Sequence, residues 1–387
     1  MKILWLASWY PNPQDPFEGD FTQRHARAAS LHNDIYVIYV TPDKAGRVTN
    51  NIKEETRQDQ RLTEHITYFK ASSSLFGRVS AFLKWRKFFK EAIIKYINQQ
   101  GRPDLVHLHV GVRAGLLALW MKKKYDIPFV LTEHWAGFSL EAKENFASLP
   151  FYVRVLWKRA VKGAIAISSV SRYLGELLKK QFGISDYTLI PNVVDTRVFY
   201  PVNTKSSNDT RFIHISTLGH QKNPEAMLQA FELVKKTHTN FHVDIFGPTN
   251  KSLLKLVDEL QLEQHVYFHQ EIPQPQLATF MAQADALILY SRYESFGCVI
   301  IEANACGIPV MVSDLPVFHE TVKQGVNGVF VKAADFKSLA ECIKSFIGRK
   351  YLFDKMNIAA LTASKYSYNV VGKQFSDWYE YVLKSLH

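Results

Sequence analysis

Short apolar runs rich in β-branched residues alternate with segments of helical periodicity along the chain, and this alternation constrains the fold most. Ten runs are predicted to be strands: KILWLAS, DIYVIYV, LVHLHV, FVLTEH and AIAIS in the first half, and RFIHIS, HVDIFG, VYFHQ, ALILYS and PVMVSD in the second. Continuous apolar strands separated by helices indicate parallel sheets covered on both faces. The pattern therefore predicts an α/β protein of two doubly wound, Rossmann-like domains that face each other across a cleft.

The division between the domains is predicted at residues 190–210, where two prolines and a polar run precede a fresh strand. A chain of 387 residues also exceeds the size at which one core keeps growing. The expected domains are residues 1–195 and residues 196–366. Ligands of open α/β sheets bind beyond the carboxyl ends of the strands, so residues that follow strands are the candidates for function.

The three cysteines lack the paired spacing of a zinc site and fit a reducing compartment. Pro11, Pro13 and Asp15 interrupt the first apolar run, which favours a buried strand over a signal peptide. No stretch of about 18 apolar residues could span a bilayer, and a cytoplasmic protein is expected. The net charge of +11 is lopsided, because residues 1–195 carry 28 Lys+Arg against 18 Asp+Glu. That asymmetry indicates an acidic partner, either nucleic acid or an anionic membrane.

Several residues after strands of the first half are candidates. Gly19 precedes a helix expected to start near Phe21, where a glycine either lets backbone amides approach an anion or makes a turn. His107 and His109 point to one face of a strand, as metal ligands or as hydrogen-bonded histidines of a cleft wall. No third ligand is apparent in the sequence, so no metal site is predicted. His134, after the fourth strand, either contacts a sugar or caps the strand.

In the second half, Lys222 lies between a strand and a helix, either binding phosphate or solvated. Glu294 and Glu302 form one of three glutamate pairs at this spacing, and only this pair spans a glycine turn at a helix start. A carboxylate in such a helix could hold ribose hydroxyls, and the helix N-terminus a diphosphate. The amides expected there belong to Phe296, Gly297, Cys298 and Val299. This arrangement predicts a nucleotide-sugar site.

The segment SRYESFGCVIIEANACGIPVMVSDLPVFHETVKQGVNGVFV resembles the E-x7-E region of retaining glycosyltransferases of family 4, which have the GT-B fold. The likeness continues in GDFTQRHARAA, PDLVHLH, LTEHW, SSVSRYLGELL, LIPNVVDTRVFYP and HISTLGHQKN. It implies that Gly19 approaches the donor diphosphate and His134 the transferred sugar. It further implies that Lys222 compensates the leaving diphosphate, that Glu294 contacts the sugar and that Glu302 holds the ribose.

The resemblance also implies that residues 1–195 form the acceptor side and that residues 196–366 bind the nucleotide sugar. It further implies that the last helix, about residues 367–387, returns to the first domain. These enzymes typically need no bound metal, which agrees with the absence of an Asp-x-Asp at a strand end. Family members often carry an arginine where this chain has Thr217. Arg292 or a basic residue of the first domain would then have to replace that cation, and His109 is a further candidate for the site.

The expected function is transfer of a hexose from a UDP- or GDP-sugar to an acceptor hydroxyl with retained anomeric configuration and no cofactor. The alternatives are another GT-B activity (a nucleotide-sugar epimerase or an inactive sugar binder) and a basic nucleic-acid-binding protein. A nucleic-acid-binding protein would have aromatic residues among basic residues on an open surface. In residues 77–102, however, the apolar residues follow helical spacing and predict a buried face: Val79, Phe82, Phe89, Ile93, Tyr96 and Ile97. No nucleic acid is therefore expected as a partner.

The basic residues of the first half remain to be explained. Residues 77–102 carry seven Lys+Arg and one glutamate, and residues 151–164 carry four with no acid. Lys84, Lys87 and Lys95 are predicted on one side of a helix, with Trp85 and Phe88 near its apolar border. That is the composition of a helix at a membrane interface, whereas a core-packed helix with a solvated basic rim is the alternative. The first interpretation predicts a peripheral protein on the inner face of the cell membrane with a lipid-linked glycan as acceptor.

Overall fold

The computed structural model describes residues 1–71, 75–203, 209–348 and 352–386, so part of the predicted linker and the last predicted helical residue lie outside the described residues. The chain forms two compact units. Unit 1 comprises Met1–Phe138, Glu144–Val193 and Tyr368–His387. Unit 2 comprises Ser139–Lys143 and Val194–Ser367. Each unit is built on its own sheet.

The sheet of unit 1 has eight strands: β1 Lys2–Ala7, β2 Asp34–Pro42, β3 Ile52–Asp59, β4 Leu62–Phe69, β5 Leu105–His109, β6 Phe129–Glu133, β7 Ala166–Ser169 and β8 Thr188–Leu189. Their order is β3-β4-β2-β1-β5-β6-β7-β8. All neighbours are parallel except β3 and β4. The five predicted strands are confirmed. Strand β3 was not predicted, because its residues are mostly exposed and charged and form no apolar run. Such residues are typical of a strand at the edge of a sheet.

The sheet of unit 2 has six strands: β9 Thr210–Ile215, β10 Phe241–Phe246, β11 Val266–His269, β12 Ala286–Leu289, β13 Val310–Ser313 and β14 Gly328–Val331. They are all parallel, in the order β11-β10-β9-β12-β13-β14. The predicted strands of this half are confirmed as well. The expectation of two parallel-sheet, Rossmann-like α/β units is therefore correct.

The helices connect and cover these strands. They are α1 Asp20–Ala29, α2 Leu75–Gln100, α3 Gly115–Tyr125, α4 Phe151–Gly163, α5 Arg172–Phe182, α6 Pro224–Lys235, α7 Lys251–Glu259, α8 Gln274–Gln283, α9 Cys298–Ala305, α10 Phe336–Ile347, α11 Lys355–Tyr366 and α12 Tyr368–Lys384. Among the described residues, no helix combines the length and the apolar character needed to cross a bilayer.

The last helix, α12, belongs to unit 1 and packs against α1. Its buried aromatic residues Phe375, Trp378 and Tyr379 join the core that contains Trp5 of β1. Burying large aromatic side chains stabilises by about 1.5–3 kcal/mol each. The apolar face of α12 therefore packs on the core of unit 1.

Candidate functional site

The strand order of unit 2 reverses at β9, which lies between β10 and β12. The loops that follow β9 and β12 therefore leave the same edge of the sheet side by side. In doubly wound sheets this reversal point is where ligands bind. The loop after β9 carries Lys222, and the loop after β12 carries Glu294, so the two predicted residues come together at this position.

Lys222 and Glu294 form an ion pair, Nζ to Oε1, across the two loops. The side chain of Glu294 is 5% exposed and that of Lys222 is 17% exposed. The carboxylate also accepts hydrogen bonds from Ser291 Oγ at 2.9 Å and from Gln221 Nε2 at 3.1 Å. Buried charges require such partners. Lys222 is thus not the solvated lysine that the sequence left open, because it is the counterion of Glu294.

Gly297 ends the loop after β12 and precedes the first residue of α9, Cys298. Its φ of +89° lies in the left-handed region, and a Cβ there would lie 2.9 Å from Phe318 Cε1. Only glycine fits this turn without strain. The first-turn amides of Cys298 and Val299 lie at this helix start and are the candidate ligands for an anion. The side chain of Phe296 packs inward, at 3% exposed, and the predicted anion contacts of the Phe296 and Gly297 amides stay predictions.

Glu302 is the fifth residue of α9 and is 4% exposed. Glu302 lies just over one turn from the start of α9. A carboxylate buried on the helix that follows the Gly297 turn fits the predicted contact with ribose hydroxyls. That role stays a prediction.

Thr217 and Arg292 are both exposed. The backbone N–H of Arg292 donates to Gln221 O at 2.8 Å, and its guanidinium Nε lies 3.3 Å from His220 Nε2. Arg292 therefore belongs to the same pair of loops as Lys222. That Arg292 replaces the cation that Thr217 lacks stays a prediction.

In unit 1 the strand order reverses at β1, which lies between β2 and β5. Gly19 follows β1 and precedes α1 with a φ of +64°. A Cβ at this position would lie 2.5 Å from the carbonyl carbon of Trp9. The backbone of Trp9 thus already requires a glycine here, and the predicted approach of Gly19 to a diphosphate stays a prediction.

His134 directly follows β6 and is 6% exposed. Its Nε2 lies 3.3 Å from Nδ1 of His109, and its ring centroid lies 4.5 Å from that of Phe21. His109 ends β5 and is fully buried. Burial lowers the pKa of both imidazoles well below the usual range, so both are neutral near pH 7.

His25 of α1 joins these two histidines and is also fully buried. Burial lowers the pKa of His25 to about 3. The sequence showed no third ligand for the H-x-H pair, and among the described residues only His109 of that pair lies in a histidine cluster, with His25 and His134. His107, by contrast, is held on both ring nitrogens by Tyr379 Oη at 2.6 Å and Thr132 Oγ1 at 2.7 Å.

Sequence reasoning missed Glu133, the last residue of β6, which is fully buried. Its carboxylate accepts hydrogen bonds from the amides of Gly111 and His134 at 3.1 Å each and from Trp157 Nε1 at 3.0 Å. Burial raises the pKa of Glu133 to about 6. The signal was a carboxylate at the end of an apolar strand, since charged residues are rarely fully buried without such partners. Glu133 holds the backbone that presents His134.

Two family models match the chain in sequence order. The model described as Glycosyltransferase Family 4 matches residues 27–198, and the model described as Glycosyl transferases group 1 matches residues 197–360. The Rossmann-like sheets of the two units are those of the GT-B fold class. The chain is a glycosyltransferase with the GT-B fold.

A similar protein is the putative teichuronic acid biosynthesis glycosyltransferase TuaC of Bacillus subtilis, 25% identical over 371 residues and 89% of each chain. Among solved structures, sucrose-phosphate synthase from Thermosynechococcus elongatus matches with a TM-score of 0.76 at 18% identity over 100% of both chains. HepE from Anabaena, in complex with UDP and glucose, matches with a TM-score of 0.72 at 17% identity over 97% of this chain and 99% of its own. These structures share the fold.

Proposed function

We propose that the chain transfers a hexose from a nucleoside diphosphate sugar to an acceptor hydroxyl with retention of the anomeric configuration. The observation that supports this most is the meeting of Lys222 and Glu294 at the point where the strand order of unit 2 reverses. A cation and a carboxylate at that point match the two ends of the donor, its diphosphate and its sugar.

Each residue then has a distinct part in the reaction. Departure of the diphosphate builds negative charge, which Lys222 and the amides at the start of α9 stabilise without reorganising. Glu294 hydrogen-bonds the sugar and Glu302 the ribose hydroxyls. When the donor binds, its phosphate competes with Glu294 for the ammonium group of Lys222. Arg292 adds a second cation in the same pair of loops.

The neutral imidazole of His134 hydrogen-bonds a hydroxyl of the transferred sugar. Retention follows from attack on the same face that the diphosphate leaves, with a leaving phosphate oxygen taking the proton of the acceptor hydroxyl. Orientation of the sugar by His134 and Glu294 supplies the alignment that such a front-face path demands. No cofactor is required in this scheme.

UDP is the favoured donor nucleotide, because the similar HepE structure contains UDP and glucose. A glycan acceptor of cell-surface polysaccharide synthesis is favoured by the likeness to a teichuronic acid biosynthesis glycosyltransferase over 89% of both chains.

The donor proposal is tested by thermal and calorimetric titration of the purified chain with UDP and GDP, and by hydrolysis of UDP- and GDP-sugars without acceptor. Ligand at 100 times its Kd should stabilise the protein by about 2.7 kcal/mol. Glu302→Ala should weaken UDP binding about 10- to 150-fold, since a hydrogen bond to a charged group contributes about 1.5–3 kcal/mol. Glu263→Ala removes an exposed glutamate with the same eight-residue spacing to Glu271 and is the matched control. Equal UDP affinity in the Glu302 and Glu263 variants would remove Glu302 from the site.

A membrane surface is the proposed location of this reaction, supported by the first half of α2. Val79 and Phe82 were predicted on the buried face of residues 77–102, and this is wrong, because Val79, Phe82 and Leu83 are 63%, 40% and 56% exposed. Exposed basic residues accompany them: Lys84, Arg86 and Lys87. Exposed apolar side chains beside basic ones are the composition of a helix lying in an anionic interface. Each basic residue near such a surface adds about 1 kcal/mol.

The structure changes two details of this proposal. Trp85 is 8% exposed and packs between Phe82 and Phe89, so it belongs to the core and not to the interface. Lys95 donates to Glu54 Oε2 at 2.6 Å, which compensates its charge. Helix α3 contacts both α2 and α4 and carries the exposed residues Lys122, Lys123 and Lys124. At the start of α4, Phe151 and Tyr152 are 73% and 67% exposed.

Co-sedimentation with vesicles tests the membrane proposal. Binding should require anionic lipid and weaken steeply as salt rises. It should also weaken in a variant with four glutamines in α2, at Lys84, Arg86, Lys87 and Lys90. A control with the same charge change in unit 2 carries glutamine at Lys236, Lys251, Lys255 and Lys332, and it should bind as wild type does. Equal binding of the two variants, or none to anionic vesicles, would refute the proposal.

A further inference from the structure

Three buried histidines from three different elements converge in unit 1. His25 comes from α1, His109 from the end of β5 and His134 from the loop after β6. One ring nitrogen of each lies within 4.8 Å of those of the other two. His25 and His109 are fully buried and His134 is 6% exposed. The proposed transfer reaction uses only His134 of the three.

The hydrogen bonding of the cluster leaves nitrogen atoms unsatisfied. His25 Nε2 lies 3.0 Å from Pro191 O, and because a carbonyl only accepts, Nε2 carries the proton. Nδ1 of His25 then has a lone pair, and it has no hydrogen-bond partner among the described residues. Nε2 of His109 and Nδ1 of His134 also lack a partner among the described residues. Because the other nitrogens of these two rings face each other at 3.3 Å, one of the unpartnered atoms carries a proton and the other a lone pair. A buried polar atom without a partner costs about 1–3 kcal/mol, so the unpartnered lone pair of His25 beside two further imidazoles indicates a ligand.

The spacing fits a metal ion. Zn–N bonds of about 2.0–2.1 Å at the tetrahedral angle put two ligand nitrogens about 3.3–3.4 Å apart. The facing nitrogens His109 Nδ1 and His134 Nε2 are already 3.3 Å apart, and a cation between them would replace the hydrogen bond that now joins them. The backbone carbonyl of Pro191 on His25 is the outer contact that metal-bound imidazoles usually have. His107, with both nitrogens held by Tyr379 and Thr132, has no lone pair to offer.

We propose that His25, His109 and His134 form a three-imidazole site for a divalent transition-metal cation such as Zn²⁺. Three histidines leave a fourth position for water or another ligand. A cation in this site would take the lone pair of His134. On the basis of the proposed function, metal binding and sugar binding at His134 exclude each other, so the metal would inhibit transfer.

Calorimetric titration of the full chain with Zn²⁺, after removal of bound metal with EDTA, tests the site without any donor sugar. The expected result is saturation at one equivalent. His25→Gln is the sharpest variant, because a glutamine amide can keep the bond to Pro191 O but has no counterpart of Nδ1. It should weaken Zn²⁺ binding by at least the roughly 10- to 100-fold that outer-sphere changes alone cause. His109→Phe is the second variant, and His319→Gln, at an exposed histidine paired with Asp314, is the control.

A readout on the wild-type protein does not depend on how the variants fold. Trp5 stacks on His109 with ring centroids 4.0 Å apart, so Ni²⁺ at His109 should quench tryptophan fluorescence. Trp5→Phe should lose most of this response and still bind one equivalent of Zn²⁺. Absence of saturable binding to wild type, wild-type affinity in both histidine variants, or loss of binding only in His319→Gln would overturn the proposal.

Inhibition is measured separately from binding. Donor hydrolysis should fall at saturating Zn²⁺ and return with EDTA. If hydrolysis is absent altogether while one equivalent of Zn²⁺ binds through His25 and His109, the transferase proposal fails and the metal site stands. If hydrolysis proceeds unchanged with the site filled, the mutual exclusion at His134 is refuted.

Discussion

Removal of the ammonium group of Lys222 should destabilise unit 2, because it leaves the carboxylate of Glu294 buried without its counterion. Glu294 is 5% exposed and would retain two neutral donors, Ser291 Oγ at 2.9 Å and Gln221 Nε2 at 3.1 Å. Breaking a buried ion pair by removing one partner costs about 3–5 kcal/mol. Because two donors remain and Lys222 is partly exposed, Lys222→Met should lower the free energy of unfolding by about 3 kcal/mol, near the lower end of that range.

A second substitution separates this cost from any other effect of losing Lys222. Glu294→Gln keeps the size of the side chain and removes the charge, so Lys222→Met with Glu294→Gln has no buried ion. The double variant should be more stable than Lys222→Met alone. The interaction free energy from the double-mutant cycle should be about 2 kcal/mol, within the range measured for residues in contact.

Urea unfolding followed by far-UV circular dichroism is the suitable assay. All seven tryptophans lie in unit 1, so tryptophan fluorescence would not detect unit 2. Lys255→Met is the matched control, because Lys255 pairs with Glu259 on the surface, where side chains are 77% and 53% exposed. It should cost less than about 0.5 kcal/mol. If Lys222→Met costs no more than Lys255→Met, or if the two substitutions add without interaction, the ion pair does not stabilise unit 2 as argued.

Three further outcomes are expected. Glu294→Gln should lower kcat far more than it weakens binding of free UDP, and equal losses in both would contradict its contact with the sugar. Gly297→Ala should lower the free energy of unfolding more than Gly325→Ala does, by about 1 kcal/mol or more. Both glycines have positive φ, but only a Cβ at Gly297 meets Phe318. Equal losses of stability in urea unfolding would exclude that clash. Burial lowers the pKa of His214 from 6.5 to about 4, so the unfolded state takes up the proton first on acidification. The free energy of unfolding should then fall by about 1.4 kcal/mol per pH unit between those pKa values, and His214→Gln should remove this slope, whereas parallel stability curves for variant and wild type would contradict it.

Local patterns in the sequence determined the elements and part of the site. The apolar runs predicted ten strands, because a strand buried on both faces must be apolar throughout. The Phe-Gly turn before an apolar helix singled out Glu294 and Glu302 among the glutamate pairs, because the turn and the helix start are read from adjacent residues. Both glutamates are buried on either side of Gly297, as that reading requires.

The contacts between distant segments were decided by the tertiary structure. Lys222 and Glu294 are 72 residues apart and meet because β9 and β12 are neighbours in the sheet. His25 reaches His109 and His134 because α1 packs near the ends of β5 and β6, and no local spacing encodes that approach. Hydrophobic periodicity and turn residues involve only neighbouring positions, so they can be recognised directly in the sequence. Strand order and packing join residues from separate segments, so the counterion of Glu294 and the third histidine could be known only from the folded chain.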